Sequence, residues 1–307
     1  MRVLVTGGAG FIGSNFVRLL VRHTDHSVVT FDALTYAGSK SNLEGVLDDP
    51  DHEFVEGDVR DREAVEEYVP EADAVVNFAA ESHVDRSISD SEPFVSTNVQ
   101  GTQTLLDASL EAGVERFVQI STDEVYGQIL DGKFQEDDRL NPRNPYAASK
   151  AGADLLASSY YTTHELPVTI VRSSNNYGPR QYPEKLIPKF IERATNGEPL
   201  PVYGDGSNVR EWTYVTDNCR AIELVLREGK PGEIYNVGSG EELTNLEVTR
   251  KVLDAVGASQ ELIEFVEDRP GHDQRYAVDT TKIRRLGWEP EYDFEEGLER
   301  TVDYYVG

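Results

Sequence analysis

Short apolar runs alternate with longer amphipathic stretches through the first half of the chain. Val3-Leu4-Val5 opens the series, and Val28-Val29-Thr30-Phe31 follows. The series continues with 52–59, ending near Asp58, then 74–80, 116–120 and 168–172. These runs are short and rich in β-branched residues, which favours buried strands over helices. Between them, Phe16, Val17, Leu19, Leu20 and Val21 recur at helical spacing, 93–110 reads as helix, and Asn144-Pro145 is a helix start with Asn as N-cap and Pro at the first turn. Regular alternation of strand and helix predicts an α/β, doubly wound parallel sheet whose ligands bind beyond the carboxyl ends of the strands.

After about residue 175 the pattern loosens. Asn175-Asn176-Tyr177-Gly178-Pro179-Arg180 reads as turn, a helix starts at Leu186, and Pro201-Val202-Tyr203 is a short strand before a tight turn. The segment 233–238 returns to strand and 246–256 to helix. The expected organisation is residues 1–175 as a nucleotide-binding and catalytic domain. Residues 176–307 then form mainly a smaller α/β substrate lobe, with some elements returning to the first domain.

The first strand runs into Gly7-Gly8-Ala9-Gly10-Phe11-Ile12-Gly13 and then a helix. Glycines at this turn let the backbone approach a pyrophosphate held at the helix N-terminus. The second strand ends at Asp32, whose carboxylate suits ribose hydroxyls and repels a 2′-phosphate. Strand, glycine turn, helix, strand and acid together predict a Rossmann fold that binds NAD rather than NADP. Asp58, after the next strand, is expected near the adenine edge.

Charge narrows the range of partners. The chain has 56 acidic and 29 basic residues, a net charge of −27, and only eight of its basic residues are lysines. That balance disfavours nucleic acid and anionic membranes as partners. The acids are spread along the chain, and abundant Asp and Glu with few Lys predicts a halophilic protein, in which salt screens the self-repulsion. No apolar run is long enough to span a bilayer, no leader is read at the start, and Cys219 is the lone cysteine. A cytoplasmic protein is expected, with Cys219 as a small buried residue. No His/Cys/Asp set has metal-ligand spacing, so no metal is expected.

Two stretches carry the chemistry. Tyr146 and Lys150 stand four apart on the helix begun by Asn144-Pro145, on one face. An ammonium and an oxidised nicotinamide both favour a phenolate, which lets Tyr-x-x-x-Lys remove a hydroxyl proton as hydride leaves the same carbon. Ile120-Ser121-Thr122-Asp123-Glu124-Val125-Tyr126-Gly127 ends a strand with a hydroxyl and two adjacent carboxyls. Such a pair with split pKa values supplies one acid and one base. On its own it reads equally as a solvated loop of an acidic protein.

The glycine turn with Tyr146-Ala-Ala-Ser-Lys150 resembles the extended short-chain dehydrogenase/reductase family that acts on nucleotide sugars. Several further runs make the resemblance specific to the dTDP-glucose 4,6-dehydratases, over residues 1 to about 285. They are Ser121 to Gly127, Ala79-Ala80-Glu81-Ser82-His83-Val84-Asp85-Arg86-Ser87, Ser174-Asn175-Asn176-Tyr177-Gly178-Pro179, and Asp268-Arg269-Pro270-Gly271-His272-Asp273.

The resemblance implies a hydro-lyase with tightly bound NAD. Tyr146, supported by Lys150, takes the 4-hydroxyl proton and Thr122 binds that oxygen. Glu124 removes the C5 proton and Asp123 protonates the departing C6 hydroxyl. It implies Gly7, Gly10, Phe11, Ile12, Gly13, Asp32, Thr35, Asp58, Val59, Ala79, Ala80, Thr97, Tyr146, Lys150 and Asn176 around NAD. It also implies Ser82, His83, Thr122, Asn175, Lys185, Leu186, Pro201, Val202, Tyr203, Arg210, Asn245, Arg269 and His272 around the nucleotide sugar. Arg210 and Arg269 suit the diphosphate. A homodimer is implied as well. A nucleotide-sugar 4-epimerase or decarboxylase of the same fold remains open, as does a non-catalytic NAD-binding protein.

Overall fold

The structure is a computed structural model that describes residues 1–268 and 271–307. Its strands are β1 (Arg2–Thr6), β2 (Ser27–Asp32), β3 (His52–Glu56), β4 (Ala74–Asn77), β5 (Arg116–Thr122) and β6 (Val168–Ser173), followed by β7 (Asn175–Tyr177), β8 (Leu200–Tyr203), β9 (Val209–Tyr214), β10 (Ile234–Val237), β11 (Glu242–Thr244) and β12 (Ile263–Val266). Seven of them form one sheet in the order β10-β6-β5-β4-β1-β2-β3, with every pairing parallel.

The strands read as uninterrupted apolar runs because both faces are covered. Along β1, Val3 and Val5 join one core cluster while Leu4 joins the other. The first cluster packs against the helices Phe11–His23 and Val215–Glu228 through Phe16, Leu20, Ile222 and Val225. The second packs against Thr102–Ala112 and Pro145–His164 through Leu105, Leu106 and Ala157. The chain proceeds outward from β1 through β2 to β3, then returns to the opposite side of β1 with β4. That reversal opens a crevice at the carboxyl edge, where such sheets bind ligands.

The remaining strands make a smaller lobe. Its two sheets run β11-β9-β7 and β12-β8. Tyr177, Phe190, Trp212, Val248 and Phe294 pack its separate core with the helices Leu186–Thr195, Asn245–Val256 and Phe294–Val306.

Four elements differ from the sequence reading, the first being β4, which ends at Asn77 and leaves 78–80 outside the strand. Asn175–Tyr177 is a strand rather than a turn, because β9, far along the chain, supplies its partner in Trp212, Thr213 and Tyr214. β3 stops at Glu56, so Asp58 sits in the following loop. The helix expected over 93–110 contains a π-helical segment, Val95–Gly101. Within that segment the buried Asn98 bonds both the N–H and the carbonyl of Glu81 (2.8 and 3.0 Å) and donates to Ser149 Oγ (2.8 Å). It thereby pins the loop after β4 to the helix that carries Tyr146. Functional sites often retain π-bulges of this kind.

Candidate active site

The turn after β1 has no room for side chains. Gly7 has φ +66°, and a Cβ there would meet Ala79 N at 2.6 Å. A Cβ on Gly13 would meet Gly7 O at 2.3 Å. The helix Phe11–His23 therefore begins directly against the strand ends, and its N-cap Gly10 makes no side-chain cap. Free N–H groups and the helix dipole at such a start favour an anionic ligand. Asp32 is buried at the end of β2, where Ala9 N–H donates to Oδ2 and Leu34 N–H to Oδ1, each at 2.8 Å. Burial raises its pKa, while these two N–H bonds oppose the rise.

The groove that starts here has a volume of about 260 Å³. It is lined by Gly7, Gly10, Phe11, Ile12, Gly13, Asp32, Thr35, Asp58, Val59, Ala79, Ala80, Thr97, Tyr146 and Lys150. Of the residues expected around the dinucleotide, Asn176 alone does not line it. Asn176 faces the neighbouring cleft, with a buried Oδ1 that no protein group bonds. Asn176 lies on β7, opposite Thr213 of β9. Asp58 lines the groove but is gripped by Arg60, whose Nε donates to Oδ1 at 2.9 Å and holds the carboxyl below the usual range.

β5 delivers Thr122 to the sheet edge, and the 3₁₀ turn Asp123–Tyr126 follows directly. Thr122 caps that turn, taking the Glu124 N–H at 3.3 Å while its hydroxyl donates to Asp123 Oδ1 at 3.2 Å. Asp123 is 2% exposed and its Oδ2 meets no hydrogen-bond partner. Burial raises its pKa well above the usual carboxylate value, and the charges of Glu124 and Glu211 add to the rise. Glu124 is half-buried, and its Oε2 accepts from Asn144 Nδ2 at 3.1 Å.

The helix Pro145–His164 places Tyr146 and Lys150 opposite this turn, with Asn144 as the expected N-cap. Without the oxidised nicotinamide of the expected arrangement, Tyr146 is raised above the ordinary phenol range. Burial is the main cause, followed by the Glu124 and Asp123 charges, against a hydrogen bond to Thr122. Lys150 turns its ammonium to Ile120 O at 2.6 Å, and burial depresses its pKa to about 8, with Asp154 opposing the drop. Burial and the two carboxyls thus disfavour the phenolate, and a further positive charge beside Tyr146 would favour it.

A wider cleft of about 830 Å³ adjoins the groove and runs into the second lobe. It is lined by Ser82, His83, Thr122, Asp123, Glu124, Tyr146, Asn175, Lys185, Leu186, Pro201, Val202, Tyr203, Arg210, Asn245 and His272. Arg269, expected on the diphosphate, lies outside the described residues. Arg210 is 5% exposed, bonds Asp273 O through Nη2 at 2.9 Å, and has its guanidinium 4.5 Å from the centre of the Tyr276 ring. Lys185 Nζ donates to Ser82 O at 2.9 Å, and His272 Nδ1 lies 2.7 Å from Asp268 Oδ1.

The sequence reading missed several lining residues. Gly38 packs so closely that a Cβ would meet Asp32 Oδ1 at 2.7 Å, and Tyr36, Arg60 and Gln181 also line the groove. Ser121 and Glu184 line both spaces, and Tyr276 the cleft. The sequence carried a usable signal for Ser121 alone, since it precedes Thr122 at the strand end. Cys219 is buried and its thiol pKa is raised by burial, which leaves it inert. Among the described residues no cluster of His, Cys, Asp and Glu suits a metal ion, and no helix is long and apolar enough to cross a membrane.

Comparison with known proteins matches this geometry to a family. The family model described as GDP-mannose 4,6 dehydratase matches residues 4–301. The Haloferax volcanii protein named low-salt glycan biosynthesis protein Agl12 is 72% identical over 100% of this chain and 99% of its own length. A dTDP-glucose 4,6-dehydratase of Streptomyces niveus is 51% identical over 99% of this chain and 93% of its own. The dTDP-glucose 4,6-dehydratase DesIV of Streptomyces venezuelae, solved with NAD and TYD bound, superposes with a TM-score of 0.97 at 53% identity, covering 99% of this chain and 97% of that one. The chain belongs to the family described as GDP-mannose 4,6 dehydratase, with dTDP-glucose 4,6-dehydratases among its full-length relatives.

Proposed function

We propose that this protein is an NAD-dependent dehydratase that converts dTDP-glucose to the 4-keto-6-deoxy sugar nucleotide. The observation that carries the reading is the buried Asp123 beside Glu124, a carboxyl whose pKa burial and the Glu124 charge raise well above the usual value, on the wall of a cleft that Tyr146 also lines. An epimerase needs the oxidation alone and has no use for such a pair. The groove fits the cofactor in three respects. Its glycines leave no space for a Cβ, Asp32 ends β2 with both oxygens held in place, and relatives about half identical over the whole chain were solved with NAD.

Bound NAD supplies a hydride acceptor for C4, a hydride donor for C6 and, when oxidised, a positive charge beside Tyr146. Tyr146, ionised to the phenolate that this positive charge favours and held by Thr122, takes the 4-hydroxyl proton as the C4–H bond breaks. The new carbonyl acidifies the C5–H bond. Glu124 takes that proton, and the electron pair forms the C5–C6 double bond as the C6–O bond breaks. Asp123 gives its proton to the departing oxygen, which leaves as water. Hydride at C6 and a proton at C5 complete the product, with the C4 ketone retained and NAD restored.

Arg210 meets the diphosphate, with Lys185, Asn175 and Asn245 on the remaining polar groups and Tyr203 and His272 flanking the base. Residues 1–175 hold NAD and the chemistry, and 176–307 mainly hold the sugar nucleotide. The same proposal includes a cytoplasmic homodimer adapted to high salt. Supporting it are the lone buried cysteine, the exposed apolar Val95 and Leu155 on neighbouring helices, and the net charge of −27.

Incubation with dTDP-glucose and catalytic NAD tests the reaction. A 4-keto-6-deoxy product that absorbs in alkali is expected, and a 4-epimer alone would sink the proposal.

A further inference from the structure

We propose that Asn144 is a positioning residue for the base Glu124: one side chain both starts the helix that bears Tyr146 and Lys150 and orients the carboxylate that takes the C5 proton. The inference rests on the dehydratase reading and deepens it. The two contacts leave from opposite ends of one planar amide. Oδ1 accepts the Ala147 N–H at 2.8 Å, which caps the helix Pro145–His164. Nδ2 donates to Glu124 Oε2 at 3.1 Å.

The backbone of Asn144 is extended, with φ −138° and ψ 162°, as an N-cap requires. Its neighbours hold the segment still. Arg143 Nη1 bonds the buried Asp273 Oδ1 at 2.7 Å, and Tyr276 donates its hydroxyl to the other oxygen of that carboxyl. Asn141 N–H donates to Val125 O at 3.0 Å, and Gly127, with φ +83°, leaves no room for a Cβ, which would meet Asn141 O at 2.5 Å. The segment 141–144 thus lies against the turn Asp123–Tyr126. Thr122 fixes Glu124 through its backbone N–H, and Asn144 fixes it through its carboxylate.

Residue chemistry explains why this cap is Asn. Ser, Thr and Asp cap helices as well as Asn does, so the cap alone does not require an amide. Asp has no N–H to offer Glu124 and would set a like charge beside it. A cationic side chain would hold the carboxylate firmly but weaken it as a base. A neutral amide orients it without that loss. Through Asn144, the helix that delivers Tyr146 to C4 and the base that acts at C5 share one anchor.

Asn144→Ser and Asn144→Asp both keep the cap and lose the donor. In single turnover with dTDP-glucose, reduced-nicotinamide absorbance reads C4 oxidation, and deuterium uptake at C5 from D₂O reads proton abstraction. The expected result is near-parental oxidation and melting temperature in both variants. C5 exchange is expected to slow by about tenfold in the Ser variant, as loss of a hydrogen bond to a charged group implies, and by more in the Asp variant. In Asn144→Asp the rising limb of the C5 pH profile moves to higher pH, a change that a cap alone would not cause. Unchanged C5 exchange in both variants overturns the inference. So does a parallel fall of oxidation, exchange and melting temperature, which would reduce Asn144 to a helix cap. Failure of the dehydratase reading shows separately, as no dehydrated product from the unsubstituted enzyme.

Discussion

Replacing Asp123 with Asn should make the protein more stable at neutral pH while stopping the dehydration, and both effects follow from where the carboxyl sits. Asp123 is 2% exposed, one oxygen takes only the Thr122 hydroxyl at 3.2 Å, and the other has no partner. Burial and the nearby Glu124 and Glu211 charges raise its folded pKa above the unfolded value of about 3.9. Between those two values the folded chain keeps a proton that the unfolded chain has lost. The stability this provides is full below about pH 4 and drains away as pH rises, at up to about 1.4 kcal/mol per pH unit, until the folded value is passed. Asn carries no titrating proton, so the variant gains on the parent across that window and the gain then levels off. For a chain of this size about 1 kcal/mol corresponds to roughly 2 °C of melting temperature, so a shift of several degrees at pH 8 is in range. The amide has no proton to give to the C6 oxygen, and losing a general acid costs about 10²–10⁴ in rate. The assay is melting temperature against pH for both proteins, with C4 oxidation and alkali-absorbing product measured alongside. A melting difference that stays flat from pH 4 to pH 8 would refute the burial argument, and normal product formation would refute the acid role.

Three further outcomes follow from the same geometry. Glu124→Gln keeps an oxygen for Asn144 and the C4 machinery, so substrate should still reduce bound NAD while dehydrated product nearly vanishes; full turnover would remove Glu124 as the C5 base. Asp32→Asn removes the charge that excludes a 2′-phosphate, so the NAD-to-NADP affinity ratio in binding titrations should fall by about tenfold or more, the scale of a hydrogen bond to a charged group; an unchanged ratio would place the adenosine ribose elsewhere. With 56 acidic against 29 basic residues, the melting temperature should climb between dilute buffer and molar salt as self-repulsion is screened, and a flat or falling curve would end the halophilic proposal.

What the sequence made legible was local. The glycine turn, the cap at Asn144 and the four-residue step from Tyr146 to Lys150 are each written within a few adjacent positions, and the fold keeps all of them. What it hid depends on partners far along the chain. β7 exists because β9 pairs with it, and Asn176 on that strand lines the cleft that adjoins the dinucleotide groove. Tyr276 and Asp273 reach the site only after the chain has crossed the second lobe. The direction of the Tyr146 pKa belongs to the same class. The Tyr-Lys spacing could not show that burial and the Glu124 and Asp123 charges raise the phenol, or that the ammonium is turned toward Ile120. The burial that resists the phenolate also favours the protonated form of Asp123, so in the proposed mechanism one desolvated wall would work against the oxidation and for the elimination. A wetter site would free Tyr146 and lose the acid. In the proposed mechanism the positive charge that favours the Tyr146 phenolate would come with the oxidised cofactor, so the tyrosine would act as a base only where hydride can leave, while Asp123 would keep its proton until the C6 oxygen departs.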